Sequence, residues 1–258
     1  MIRIDKVRHG LKYVELWFPE DNWDAIKSDM IRLHCLPSAG NFKESEIEIQ
    51  HTRWTDLTMS EENLQKAITS KTYRYDIRRS LRDNVEIKHY TSGQVMEDET
   101  IVHLFADCYH SMYEEKEMDI SLDVDAVMSC ARNGHLAISV AFYEGEPIVY
   151  HSYLCDKEIV VLWHSCSNFR SEKEMVNIIA RANKRLHWED WLYFKQLGIK
   201  IYDWGGVFAF ESDNGIDQFK ESFGGQPHDY YHTVPLGHSL IGKAALAAYK
   251  LHPMEKKL

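Results

Sequence analysis

The sequence predicts a mixed α/β (α+β) fold: a mainly antiparallel sheet flanked by helices. Three observations predict it. Strand-like runs at 135–143, 147–155 and 159–166 are separated only by Glu144-Gly145-Glu146 and Asp156-Lys157, which is the pattern of an antiparallel meander. A long helical segment follows, Glu174 to Leu197, and Gly198 stops it. Around these, strands and helices succeed one another with no internal repeat and no low-complexity linker, which reads as one mixed α/β unit from about residue 46 to 258.

Residues 1–45 are the least patterned and read as a short N-terminal segment packed on the main domain. Val14–Phe18 reads as a strand, Trp23–Leu33 as a short helix, and Leu36–Asn41, with Pro37 and Gly40, as a loop. Glu46–Arg53 alternates with the period of a strand. Thr58 or Ser60 caps a helix whose first turn carries Glu61 and Glu62, where the helix dipole favours acids. Residues 71–83 give the clearest helical pattern. Lys71, Arg74, Arg78 and Arg82 fall in one stripe, and Tyr73, Ile77 and Leu81 form an apolar one beside it. Val85–Tyr90 is a strand, and Glu97–Tyr113 and Val124–Arg132 are helices. After the meander and the long helix come a strand over Ile199–Trp204, a helix over Asn214–Ser222, a strand over His228–Val234 and a last helix over Leu240–Leu251.

The chain has 258 residues, of which 44% are hydrophobic and 12% aromatic, so it can bury a core. Its net charge of −10 argues against a surface that coats nucleic acid throughout. That charge is uneven. Residues 66–90 hold seven Lys and Arg against three acids, a local excess of about four in an otherwise acidic chain. The five cysteines include no C-x-x-C pair, and the fourteen histidines no H-E-x-x-H, so neither a zinc ribbon nor a helical metal motif is predicted. The opening residues lack a signal-peptide apolar region, and no apolar run is long enough to span a bilayer. The expected location is the cytoplasm, with no integral membrane segment.

Several strings in order carry a resemblance to a known family. Ala182-Asn183-Lys184-Arg185-Leu186-His187-Trp188-Glu189 is followed by Lys195-Gln196-Leu197-Gly198 and by Tyr202-Asp203-Trp204-Gly205-Gly206. Gly215-Ile216-Asp217-Gln218-Phe219-Lys220-Glu221-Ser222-Phe223-Gly224-Gly225 comes next, and Asp56-Leu57-Thr58 and Tyr75-Asp76-Ile77-Arg78-Arg79-Ser80 stand upstream. The ordered set, spanning roughly residues 50–235, resembles the Fem peptidyltransferase family. The resemblance implies a GNAT-like acyltransferase domain over 46–258 and transfer of an acyl group to an amine. Fem relatives move amino acids from aminoacyl-tRNA to a peptidoglycan precursor, and single-domain relatives are associated with cell-surface polysaccharide assembly.

Amide formation needs a neutral amine, a positioned carbonyl and stabilisation of the developing oxyanion. The resemblance places the family's Phe-Lys pair at Phe219-Lys220, making the Lys220 ammonium the candidate oxyanion stabiliser; a surface lysine balancing Glu221 is the alternative. Two roles are open to Asp203: handling the acceptor amine, or capping the turn that follows it. Gly205 and Gly206 would let a substrate approach the backbone, with Trp204 beside them. His164 and Ser165 on the third meander strand are candidates for the same cleft, and the resemblance adds Asn183 on the long helix. For His164 and His187 a core position is the competing reading, and for Trp188 helix packing. Arg74, Tyr75, Arg78 and Arg79 are the candidate phosphate-binding group.

No glycine occurs between Gly145 and Gly198, so the tight glycine-rich phosphate cradle of ordinary acetyl-CoA-dependent enzymes is not expected over Cys166–Asn177. The expected donor is a co-substrate and no tightly bound cofactor or metal is predicted; aminoacyl-tRNA is favoured over acyl-CoA or an acyl carrier. The expected acceptor is a phosphate-bearing small molecule or a lipid-linked sugar, with tRNA contact confined to residues 66–90. An acyl-CoA-dependent or acyl-carrier-dependent N-acyltransferase on an amino sugar, and a non-catalytic GNAT-like binding module, are the competing functions.

Overall fold

The computed structural model describes residues 1–168 and 173–251. Its first strands are β1 (Ile2–Arg8), β2 (Leu11–Trp17), β3 (Met30–His34) and β4 (Ile47–Asp56). Helices α1 (Glu61–Ala67) and α2 (Lys71–Ser80) lead to β5 (Glu86–Thr91), then to α3 (Ser92–Glu97), α4 (Thr100–Glu114) and α5 (Val124–Arg132). The meander is β6 (Leu136–Tyr143), β7 (Glu146–Cys155) and β8 (Ile159–Ser167), followed by the long helix α6 (Lys173–Gln196). The chain ends through β9 (Ile201–Asp203), α7 (Gly215–Ser222), β10 (Gln226–Thr233), β11 (Leu236–Gly237) and α8 (Leu240–Leu251).

Two compact units form. Met1–Gln50 join with residues 229–258, and His51–His228 make the second unit. This differs from the expected division near residue 45 with everything after it in one domain. In the first unit the sheet order is β1-β2-β3-β11, so the end of the chain supplies a strand to the N-terminal sheet and α8 packs on it. The helix expected over Trp23–Leu33 does not form. Only a single 3₁₀ turn stands at Trp23–Ala25, and Met30–His34 pairs in parallel with β2, burying Ile31 and Leu33. A parallel partner so far along the chain leaves no local trace, which is why spacing alone favours the helix there.

The seven-stranded sheet has the order β10-β4-β9-β8-β7-β6-β5, with β5 to β8 antiparallel throughout and β8–β9 parallel. Local capping explains the helix starts before it. Ser60 accepts a hydrogen bond from Asn63 N, and Ser70 accepts one from Tyr73 N. The helix expected over Glu97–Tyr113 forms as α4, and the short helix α3, not expected from sequence, precedes it: a Thr91–Gln94 capping box starts α3, and Asp98 accepts from Thr100 N to start α4 afresh. Helix α2 stops at Ser80, so Leu81, expected on its apolar stripe, is 58% exposed.

Helix α6 lies on one face of the sheet. Ile179, Ala182 and Leu186 pack with Ala141, Ile148 and Val149, while Trp191 and Phe194 pack with Tyr153, Tyr202, Trp204 and Phe223. Helix α2 lies against α6, tied by Lys184 to Asp76 at 2.7 Å and Arg181 to Asp83 at 2.5 Å. The opposite face of the sheet meets α4, where Phe105 stacks on Tyr150. Among the described residues no helix is long and apolar enough to cross a membrane.

Candidate active site

The site begins where β8 and β9 separate. Their pairing runs from Ile159↔Ile201 to Val161↔Asp203, and there β9 ends. One residue later β8 carries a bulge: Leu162 pairs with Tyr153 but His164 with Ser152, leaving Trp163 extra. The bulge changes which residues share a face. Leu162 and Ser165 stand on the α6 side with Tyr153 and His151, and His164 turns to α4, edge-on to Tyr109. A cavity of about 310 Å³ occupies the gap, lined by Leu162, Ser165, Asn183, His187, Trp204, Phe219 and Lys220 with Gly215 and Ile216.

Below the cavity the chain turns through Gly205. Its φ is +68°, and a Cβ there would lie 2.5 Å from the Leu162 carbonyl oxygen, so only glycine fits. Asp203 holds this turn. Its carboxylate accepts from Thr52 Oγ1 at 2.5 Å, Trp54 Nε1 at 3.0 Å and Gly205 N at 2.8 Å, and the residue is 1% exposed. Burial raises its pKa from the ordinary value against the pull of those donors and of Lys220. The Lys220 ammonium donates to Gly206 O at 2.6 Å and more weakly to Gly205 O at 3.4 Å. Lys220 is 9% exposed, and burial pushes its pKa down to about 8 despite Asp203 and Asp217. Asn214 caps α7, and the Asp217 carboxylate accepts from Phe208 N and Ala209 N, fastening the 206–210 loop to the helix that carries Lys220. Arg53 closes the region from beneath, donating to Gly225 O at 3.1 Å and Phe210 O at 2.9 Å.

The α6 wall is polar where a core helix is ordinarily apolar. Asn183, His187 and Asp190 fall at i, i+4 and i+7 on one side of the helix. Opposite them, His89, Ser139, His151 and Ser165 pair in register on four successive strands and so share one face of the sheet. Asp190 Oδ2 accepts from Tyr153 at 2.5 Å and from His151 Nδ1 at 2.9 Å, and its Oδ1 lies 3.1 Å from His89 Nε2. His151 Nε2 lies 2.9 Å from the Asn183 amide. Tyr153 and Tyr202 join hydroxyls at 2.9 Å, and Tyr202 lies 2.9 Å from His187 Nδ1. Burial pushes the Asp190 carboxyl up, but the hydrogen bonds from His151 and His89 outweigh it and hold it well below its ordinary value. Burial, with His151 and Lys220 adding to it, holds His187 well below its ordinary value.

Of the residues predicted from sequence, Lys220, Phe219, Trp204, Asn183 and Ser165 line the cavity. Asp203, Gly205 and Gly206 lie behind it and shape the turn; His164 faces α4. Arg74, Tyr75, Arg78 and Arg79 are on α2 and do not line the cavity. Arg74 donates to Ile68 O, Arg79 lies 3.6 Å from Asp83, and Arg78 and Tyr75 are exposed. Tyr73 on the same helix touches Phe219 of the cavity wall. His151, Tyr153, Tyr202 and Asp190 were absent from the predicted set, and His187 was weighed there against a core position; the i, i+4, i+7 spacing of polar residues on α6 is the signal that marks Asn183, His187 and Asp190. The segment Cys166–Asn177, over which no glycine-rich phosphate cradle is expected, includes 169–172, which lie outside the described residues.

His151, His187 and Asp190 bring ligand atoms within 4.8 Å of one another, a grouping no sequence spacing reveals. It is poorly shaped for a metal ion. The two imidazoles are stacked at 4.1 Å and 28°, which keeps their lone pairs from converging, and every ring nitrogen and carboxylate oxygen of the three residues except His187 Nε2 already holds a hydrogen bond.

No family model and no curated protein sequence matches the chain. Solved structures do. FemX is similar over 98% of this chain and 86% of its own, with a TM-score of 0.63 at 10% identity. The C-terminal domain of a putative lysylphosphatidylglycerol synthetase from Agrobacterium fabrum is similar over 96% and 88%, at 0.59 and 10%. L-PGS from Bacillus licheniformis is similar over 95% and 88%, at 0.54 and 11%. The likeness is one of fold, and it is the mixed α/β fold that the motif resemblance implied.

Proposed function

We propose that the chain is an acyltransferase that forms an amide on an amino group of a cell-envelope or polysaccharide precursor, with aminoacyl-tRNA the favoured donor. The observation that carries this reading is a buried ammonium, Lys220, held at the wall of a cavity by two turn carbonyls. An ammonium has three N–H donors. One is directed to Gly206 and a second, more weakly, to Gly205, which leaves one for the oxygen of a carbonyl in the cavity. As the amine attacks, a C–N bond forms and the carbonyl oxygen becomes anionic; a fixed cation in a site shielded from water stabilises that charge. Asp203 acts here through the turn: its occupied oxygens set the Gly205-Gly206 carbonyls, and these aim Lys220.

The similarity to FemX and to a protein named for lysylphosphatidylglycerol synthesis supports aminoacyl transfer and a phosphate-bearing acceptor. Helix α2 offers the phosphate contact. Asp76 and Asp83 are neutralised by Lys184 and Arg181 of α6, so Arg78 with Arg74 and Arg79 form a basic face beside exposed Tyr75.

The test supplies the purified protein with a labelled mixture of aminoacyl-tRNAs and UDP-amino sugars, and in parallel with acyl-CoAs. Label is expected to pass from tRNA to the amino sugar, and Lys220→Met to lower the rate about 10²- to 10³-fold with unchanged circular dichroism. Transfer from acyl-CoA alone would move the assignment to a CoA-dependent N-acyltransferase. Thermal protection by a ligand with no turnover from any donor would make the chain a binding module.

A further inference from the structure

The hydrogen bonds behind the cavity have a direction. Asp190 is held ionised, and a carboxylate only accepts, so the Tyr153 proton points to it. The Tyr153 oxygen is then left to accept from Tyr202, 2.9 Å away. Were Tyr202 to donate to His187 instead, two hydroxyl oxygens would face each other at 2.9 Å with no proton between them. Tyr202 therefore accepts, and His187 carries its proton on Nδ1, 2.9 Å from that oxygen. Its other ring nitrogen, Nε2, holds a bare lone pair. Among the described residues Nε2 has no hydrogen-bond partner, and His187 lines the cavity with Lys220, Asn183 and Ser165.

We propose that His187 is the proton shuttle of this cavity, and that Tyr202, Tyr153 and Asp190 are positioning residues that lock its tautomer. The proposal rests on the acyltransferase reading and names the group that moves the proton. When the acceptor nitrogen bonds to the carbonyl carbon of an ester donor, one N–H proton passes to His187 Nε2. As the C–O bond breaks, the same proton passes to the departing oxygen. The products are an amide and an alcohol, and His187 returns neutral; no outside base is consumed. The groups facing His187 suit this. Burial, with His151 and Lys220 adding to it, disfavours a lasting positive charge on it, so it rests unprotonated and ready, and the ionised Asp190 at the end of the tyrosine chain favours the transient imidazolium. A wholly structural network has no need of a chain ending on an open nitrogen at a cavity.

The experiment has two parts. Proton–nitrogen correlation spectra of the imidazoles in the ligand-free protein report the tautomer, independent of any substrate. His187 is expected as the Nδ1–H form, and Tyr202→Phe, which removes one oxygen, is expected to convert it to a tautomer mixture while the fold persists. His187 found protonated on Nε2, or unmoved by Tyr202→Phe, overturns the lock. The second part uses the labelled aminoacyl-tRNA and UDP-amino sugar assay. His187→Gln is expected to lower kcat about 10²- to 10⁴-fold with KM little changed, and Tyr202→Phe to lower it less. Wild-type transfer that persists undiminished in His187→Gln overturns the shuttle and leaves the acyltransferase reading standing. No transfer by the wild type overturns that reading and the shuttle with it, and the spectra then decide the tautomer lock alone.

Discussion

Strands β6 to β8 present two faces made from alternate residues of the same chain, and the faces have little else in common. Towards α4 stand Tyr150, Ser152, His164 and Cys166, with Phe105 stacked on Tyr150 and Cys166 Sγ 3.0 Å from Cys108 Sγ. Packing dominates there. Towards α6 stand Ser139, His151, Tyr153 and Ser165, and of these His151 and Tyr153 hydrogen-bond to Asp190 and His151 also to Asn183. Burying so many polar groups is unfavourable unless each finds a partner, and even then it contributes less than apolar packing of the same volume. The α6 face thus gives up stability for a directed polar seam that ends at a cavity, and the α4 face carries the packing that offsets it.

Substitutions on the two faces are expected to act differently, and the largest effect belongs to the packed face. Phe105→Ala is expected to destabilise by about 3–5 kcal/mol in urea unfolding while leaving the His187 tautomer unchanged. A tautomer shift in that variant would show the faces to be coupled. Gly205→Ala comes next. The new Cβ meets the Leu162 carbonyl in a left-handed backbone conformation, and about 2–3 kcal/mol of stability is expected to be lost together with transfer activity.

Lys220 adds a pH signature to the seam side. Its folded pKa of about 8 lies below the ordinary 10.5, so between those values the unfolded chain binds the extra proton. Stability should therefore rise with pH across that window, with the cost of the buried ammonium fully present below about 8. Unfolding titrations from pH 7 to 11 should show this slope in the wild type and lose it in Lys220→Met. Transfer activity, which needs the ammonium, should fall as pH rises through about 8, and Lys220→Arg should remove that limb. Smallest is Ser139→Ala. Its hydroxyl is buried with no hydrogen-bond partner among the described residues, so its removal is expected to change stability by less than about 1 kcal/mol, in the stabilising direction. A loss larger than that would mean the hydroxyl belongs to the seam's bonding.

Much of this was legible beforehand. The meander, the long helix and the capped helices α1 and α7 follow from period, turn residues and N-caps, all of which act over a few residues. The neighbourhood of Lys220 was legible as well, because Gly205-Gly206 and Phe219-Lys220 sit close together in the chain. The other half of the site was not. His151 meets Asp190 across 39 residues, and His89 meets it across 101. No local pattern records such a meeting.

From the chain's own order of residues come the fold class, most of the element types from residue 46 onward and the candidate ammonium, but not the short helix α3 or strand β11. Folding in three dimensions settles other matters. It sends β11 and α8 to the N-terminal sheet and makes a strand of Met30–His34. It inserts a bulge at Trp163 that brings Ser165 to the cavity and turns His164 away, and it surrounds Asp203 with three donors. The reason is one of range. Periodicity and capping are written in neighbouring residues, whereas strand register, cavity walls and hydrogen-bond direction arise where distant segments meet.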